Sequence, residues 1–356
     1  MSIERRTTKM PLAARRTFRF ALVVALSLVL AYGLGTPLPF LAPLFGVLLT
    51  TAPAPPVGVK GLLTLTLVVT LTLGIGLVLA PMLRQYPLSA VLIIAVSLYL
   101  STLLNVGLGK GLVSTLLIMG STLIPAAGLV SQALAASVIQ ALIIGIFLAI
   151  ISQWLIYPFF PEDSAKQGSA PPPPDAGQSN WIALRATLIV LPPVLLAFTN
   201  PSLYLPLIMK SALLAQQGSV VSARAAGREL LGSTFLAGGL AILFWFGLKL
   251  WPSLWMFFLW MLLVGLYVAS KLYGVLASRF APTFWQNVIV TLLILLGPAV
   301  EDSANGKDVY EAFIVRFALF IAVTAYAWSA IFALERLRAR RLARSSSSFN
   351  TGTPRC

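Results

Sequence analysis

Four carboxylates crowd a short stretch near the end of the chain. Glu301, Asp302, Asp308 and Glu311 lie in VEDSANGKDVYE, and Arg316 follows five residues after the last of them. Carboxylates flanked by apolar sequence can take up and release protons, which makes the four an ion-coupling set. Arg316, about 8 Å into a helix that starts at Glu311, can tune one of them or meet an anionic substrate. The plainer role of Asp308 and Glu311 is to complement a helix dipole, with Arg316 in a structural ion pair. Residue types alone leave both roles open.

A second charge, Lys210, lies inside the apolar run Ser202 to Ala215. A cation at that depth costs about 3 kcal/mol on insertion scales. It is therefore turned toward partners or a cavity, where it attracts an anion, unless its long stem carries the ammonium to an interface. Pro206 interrupts the same run, and Pro43 interrupts the comparable run Pro39 to Thr51. Proline removes a backbone donor, so such segments survive in lipid only inside a bundle or beside a watery cavity. Paired at matched places in two halves of a chain, they point to a substrate site. Pro43, Pro206, Lys210 and Arg316 are thus the substrate-binding candidates.

Other chemistry has few residues to work with. There is no histidine, and the one cysteine is Cys356, so a thiol or imidazole metal centre, a disulfide framework and a histidine proton relay have no ligands. No phosphate-binding glycine loop and no nucleophile elbow occurs. The expectation is a non-enzymatic protein without cofactor or metal, whose energy source is an ion gradient.

The elements that must position these residues are membrane helices. Hydrophobic residues make up 58% and charged residues 10% of the 356, and mean hydropathy is +0.92, which places the chain among integral membrane proteins. Spans are expected at 17–36, 38–52, 60–81, 88–105, 108–129 and 133–158, then at 181–199, 202–216, 229–250, 253–270, 284–300 and 310–335. The net charge of +15 gathers before the first span, from Arg5 to Arg19, between two spans at Arg224 and Arg228, and after the last, from Arg336 to Arg344. These are topology signals that put both termini in the cytoplasm of a bacterial inner-membrane protein, and nucleic acid is excluded as a partner. Lys60, Lys110, Lys271 and Arg279 agree with that orientation, whereas Arg84 and Lys249 fall on the opposite side.

The polar run from Pro161 to Asn180, PEDSAKQGSAPPPPDAGQSN, divides the spans into two sets of six. Too poor in apolar side chains to offset ordering, it reads as a flexible connector. Across it the halves match loosely and in order: Phe40 to Leu44 with Tyr204 to Leu207, Lys60 to Leu63 with Arg228 to Leu231, Gly74 and Gly76 with Gly238 and Gly239, and Ser137 to Gln140 with Phe313 to Arg316. The expected fold class is all-α: a polytopic bundle of about twelve transmembrane helices in two parallel six-helix repeats. The divisions are a basic arm at 1–16, the first repeat at 17–158, a disordered cytoplasmic linker at 159–180, the second repeat at 181–335 and a basic tail at 336–356.

Arg228-Glu229-Leu230-Leu231-Gly232-Ser233-Thr234, followed by Gly238-Gly239, resembles the arginine and glycine motif of the fusaric acid resistance and aromatic acid exporter proteins. The last helix with Asp308, Glu311 and Arg316, and the stretch from Gln140 to Pro161 with Tyr157-Pro158, also look like that family's closing span. The resemblance is to a short member without the large cytoplasmic domain, and the first half carries Lys60-Gly61-Leu62 where the motif would stand. It makes Arg228, Gly232, Gly238 and Gly239 a structural motif. It also implies proton-motive export of aromatic or other small organic acids or toxic compounds. Membrane lipids, a periplasmic adaptor protein and an outer-membrane channel are the implied partners, with a homo-oligomer left open. The alternatives are a non-transporting scaffold or assembly factor of an envelope complex, and a translocator of lipids or polymer precursors.

Overall fold

Apolar side chains on nearly every face, with few prolines inside the spans, leave the helix as the one local structure that satisfies every backbone group in lipid. The computed structural model describes residues 10–51, 55–162, 175–201, 204, 207, 208, 210, 227–306 and 308–350, without the side chains of 227, 228 and 341–350. These residues form eleven α-helices and no strand: α1 (Leu12–Gly33), α2 (Leu41–Thr51), α3 (Val59–Gln85), α4 (Pro87–Leu108), α5 (Gly111–Val130), α6 (Gln132–Ile156), α7 (Ala176–Thr199), α8 (Gly232–Leu250), α9 (Leu254–Leu272), α10 (Pro282–Ala304) and α11 (Val309–Asn350). All but α2 are long and apolar enough to cross a membrane, and the chain is a multi-pass membrane protein. A π-turn, Gly227–Leu231, leads into α8 and carries Arg228.

The expected span at 38–52 is not a full transmembrane helix. The eleven residues of α2 reach about 17 Å, against about 30 Å of hydrocarbon. After α1, Thr36 turns back with its amide and hydroxyl both donating to the Ala31 carbonyl. Beyond α2 the Val57 carbonyl accepts from Trp154 Nε1 at 2.8 Å, near the end of α6. Pro43 is the third residue of α2, in the first turn, where no intrahelical donor is needed. The Pro39 carbonyl, its missing partner, accepts from the Ala42 amide instead. The proline therefore starts this helix rather than breaking one.

The chain divides into two compact units that do not coincide with its two halves. One unit contains α1, α2 and α6 from the first half with α9, α10 and the greater part of α8 from the second. Within it α1 packs along α9, α2 is enclosed by α1, α6 and α10, and α10 lies on α9. Glycine allows the closest approaches: a Cβ on Gly265 would stand 3.3 Å from the Ala21 Cα, one on Gly145 would meet the backbone of Leu41 and Ala42, and one on Gly297 would fall inside the Phe40 ring. Phe159 to Glu162, expected to open the linker, are instead ordered against the start of α1. Glu162 accepts hydrogen bonds from both Arg16 and Arg19, the latter at 2.7 Å. Arg15 donates to the Pro161 carbonyl and Arg19 to that of Phe160. Phe18 stacks on Phe160, and Arg19 lies over Tyr157.

The other unit contains α4, α5 and the end of α3 from the first half with α7 and the main part of α11 from the second. Here α4 packs on α5 and on α7, and Gly76 of α3 lies against Gly120 and Ile124 of α5. Each unit thus takes the first and sixth helices of one half and the fourth and fifth of the other. A second clamp joins two helices of this unit: Glu335, about two thirds of the way along α11, accepts from Arg185 at 2.5 Å and from Trp181 Nε1 at 3.1 Å, both on α7, while Arg338 lies 5.2 Å over the Trp181 ring. An arginine on the first helix of each half therefore meets a carboxylate on, or just beyond, the last helix of that half. The linker's centre, 163–174, is outside the described residues, and its last residues, 176–180, already belong to α7.

Candidate functional site

Within the first unit, the last turns of α1, α8 and α10 and the first turns of α9 enclose a cavity of about 550 Å³. Local sequence places its mouth. Pro252 ends α8, and Ser253 caps α9 by accepting from the Met256 amide at 3.2 Å, which makes a tight reversal there. The end of α10 is closed by Gly306 at φ 71°, a conformation glycine adopts without strain.

Three of the eleven lining residues are aromatic: Tyr32, Trp245 and Phe257. Tyr32 meets Phe257 edge to face at 4.9 Å between centroids, Phe257 meets Phe244 at 5.7 Å, and Trp245 contributes its indole. The buried Tyr32 hydroxyl and Trp245 Nε1 have no hydrogen-bond partner among the described residues. A buried donor left this way costs about 1–3 kcal/mol. Lys249 lines the cavity as well. Its ammonium donates to the Tyr310 hydroxyl at 2.6 Å and stands 4.6 Å from that ring's centroid. Rings and an ammonium on one lining suit an apolar body carrying one negative charge.

The carboxylates separate into two pairs. Glu301 and Asp302 lie in the last turn of α10, between the cavity-lining residues Val300 and Ser303. Asp302 is buried, and Glu301 is half-buried, its charge acting on the Tyr32 hydroxyl. Asp308 and Glu311 are exposed. Asp308 caps α11, its Oδ1 accepting from the amides of Tyr310 at 2.9 Å and Glu311 at 3.4 Å.

Of the substrate-binding candidates, Pro43 is buried in the first unit but does not line this cavity. Lys210, fully buried, and Arg316, half-buried, belong to the second unit. Pro206 lies outside the described residues. Of the glycine motif, Gly238 is buried, whereas Gly239 is exposed and a Cβ there would meet nothing.

Tyr32, Trp245 and Phe257 escape sequence reasoning because an aromatic in a membrane span usually contacts lipid or core. One signal was legible: Lys249 contradicts the charge rule, and its ammonium is held by Tyr310. The other exception has a separate cause, since Arg84 donates to the Gly128 and Leu129 carbonyls at the end of α5, both at 3.0 Å, where a cation is favoured.

A family model described as a protein of unknown function (DUF2955) matches residues 16–156. No curated protein and no solved structure matches the chain.

Proposed function

We propose that this protein is an export permease of the inner membrane for small organic acids, aromatic ones included, driven by the proton-motive force. The observation that carries the reading is the cavity at Tyr32, Trp245, Lys249 and Phe257, whose rings and ammonium match an aromatic carboxylate. The resemblance to the fusaric acid resistance and aromatic acid exporter proteins supports the same substrate class. With the N-terminus cytoplasmic, the cavity belongs to the outer side. A monoanion leaving a cell whose interior is negative gains about 2.3 kcal/mol per 100 mV, so the electrical part of the gradient acts in the export direction. Glu301 and Asp302, on the cavity's own helix, are the ion-coupling pair in this proposal. Asp308 is assigned to capping, and a periplasmic adaptor and an outer-membrane channel are the partners.

The test is transport by the purified full chain in liposomes, with benzoate as probe under an imposed potential. Potential-driven benzoate movement, reduced in Lys249→Gln and Trp245→Leu at unchanged protein content, is the expected result. Equal movement in protein-free liposomes, or equal rates in both variants, would overturn the assignment.

A further inference from the structure

In the second unit, one end of the α7 and α11 pair is strongly basic. Glu335 is the last carboxylate of the sequence, and Arg336, Arg338, Arg340, Arg341 and Arg344 follow it on α11 without another acid. That carboxylate is engaged by Arg185 and Trp181, and Arg338 is held over the Trp181 ring. Arg336 and Arg340 remain exposed on the helix, so the patch has an excess of positive charge facing outward.

The same two helices, with Leu207, line an apolar groove of about 270 Å³ at Pro192, Pro193, Leu196, Leu319, Val323 and Tyr326 among others. Its chemistry follows from sequence. Pro192 has no amide hydrogen, so the Leu188 carbonyl lacks its helical donor. The Tyr326 hydroxyl donates to that carbonyl at 3.3 Å. The exposed polar group is thereby capped, and the wall beside it stays greasy.

The separation between patch and groove is informative. Arg336 follows Tyr326 by ten positions along α11, and Pro192 follows Trp181 by eleven along α7. At 1.5 Å per residue both distances are about 15–17 Å, half of a hydrocarbon core of about 30 Å. That is the depth reached by an acyl chain whose headgroup sits at the membrane surface.

We infer that the second unit binds an anionic phospholipid, its phosphate at Arg336 and Arg340 and one acyl chain along α7 and α11 into the groove at Pro192 and Pro193. A zwitterionic lipid would leave the excess charge unmatched, and a free phosphate would leave the groove empty.

The experiment uses the full chain, purified and delipidated in detergent, with thermal melting and native mass spectrometry as readouts. Dioleoyl phosphatidylglycerol should raise the melting temperature by about 3 °C or more and persist as a bound adduct. Dioleoyl phosphatidylcholine and inorganic phosphate should do neither. The double variant Arg336→Gln, Arg340→Gln should lose phosphatidylglycerol affinity by about tenfold or more. Val323→Trp, which fills the groove, should erase the preference for dioleoyl over dihexanoyl phosphatidylglycerol. Equal stabilisation by both headgroups, stabilisation by phosphate alone, or unchanged affinity in the double variant would overturn the inference. Should Val323→Trp not fold, equal binding of the two chain lengths by the unaltered protein would do the same.

Discussion

Arg19 and Glu162 form an ion pair at 2.7 Å, with the arginine side chain 5% and the carboxylate 11% exposed. The pair fastens the start of α1 to the segment after α6, although 143 positions separate the two residues. Burial by itself raises the Glu162 carboxyl, but hydrogen bonds and charge from Arg16 and Arg19 outweigh it, and the net displacement is below the ordinary value of 4.5. Stability from this group is therefore fully present above about pH 4.5 and is lost as the pH falls through the lowered folded value. Glu162→Gln should destabilise the detergent-solubilised protein by about 3 kcal/mol at neutral pH, because two arginines keep their burial and lose their counter-charge. As the pH falls through that lowered value, the melting temperatures of variant and parent should converge. Equal melting at pH 7 would show that the clamp contributes nothing.

The cavity makes a graded prediction. Lys249→Gln should weaken benzoate binding by about tenfold or more, while Lys249→Arg should retain most of it, since the charge and the Tyr310 contact are preserved. Binding is read from quenching of tryptophan fluorescence, and Trp245→Phe should lower the quenching amplitude. An unchanged affinity in Lys249→Gln would place the anion elsewhere.

Capping and ion coupling separate at the carboxylates. Asp308→Ala should cost about 1 kcal/mol through loss of the α11 cap, and Asp308→Asn much less, because the amide oxygen still accepts from Tyr310 and Glu311. Export rates should be the same in both. Glu301→Gln, beside Tyr32 on the cavity's helix, should lower export without a comparable loss of stability. A transport defect in Asp308→Asn with normal Glu301→Gln would reverse these assignments.

Close packing of α10 is tested at Gly297. Valine there would overlap the Phe40 ring, and the expected cost is about 3 kcal/mol or more, with reduced accumulation in the membrane. Gly239→Val faces no neighbour and should accumulate normally. Similar levels of the two proteins would refute the packing described for Phe40.

Composition and hydropathy alone determine the membrane class, and the helix positions follow closely. Five of the six expected first-half spans correspond to full-length helices, and the sixth, at 38–52, is short, because lipid leaves the backbone one local solution and apolar runs mark its length. What only the tertiary structure decided is which helices pack together. Nothing local to α1 says that its partner is α9, because the contact depends on small residues such as Ala21 and Gly265 meeting across 244 positions. The same holds for the candidate site. Tyr32, Trp245 and Phe257 are ordinary aromatics in sequence, and their enclosure is set by where four helix ends meet. Arg16 and Arg19 read as topology signals until folding brings Glu162 to them, since charge composition carries a sign but not a distance.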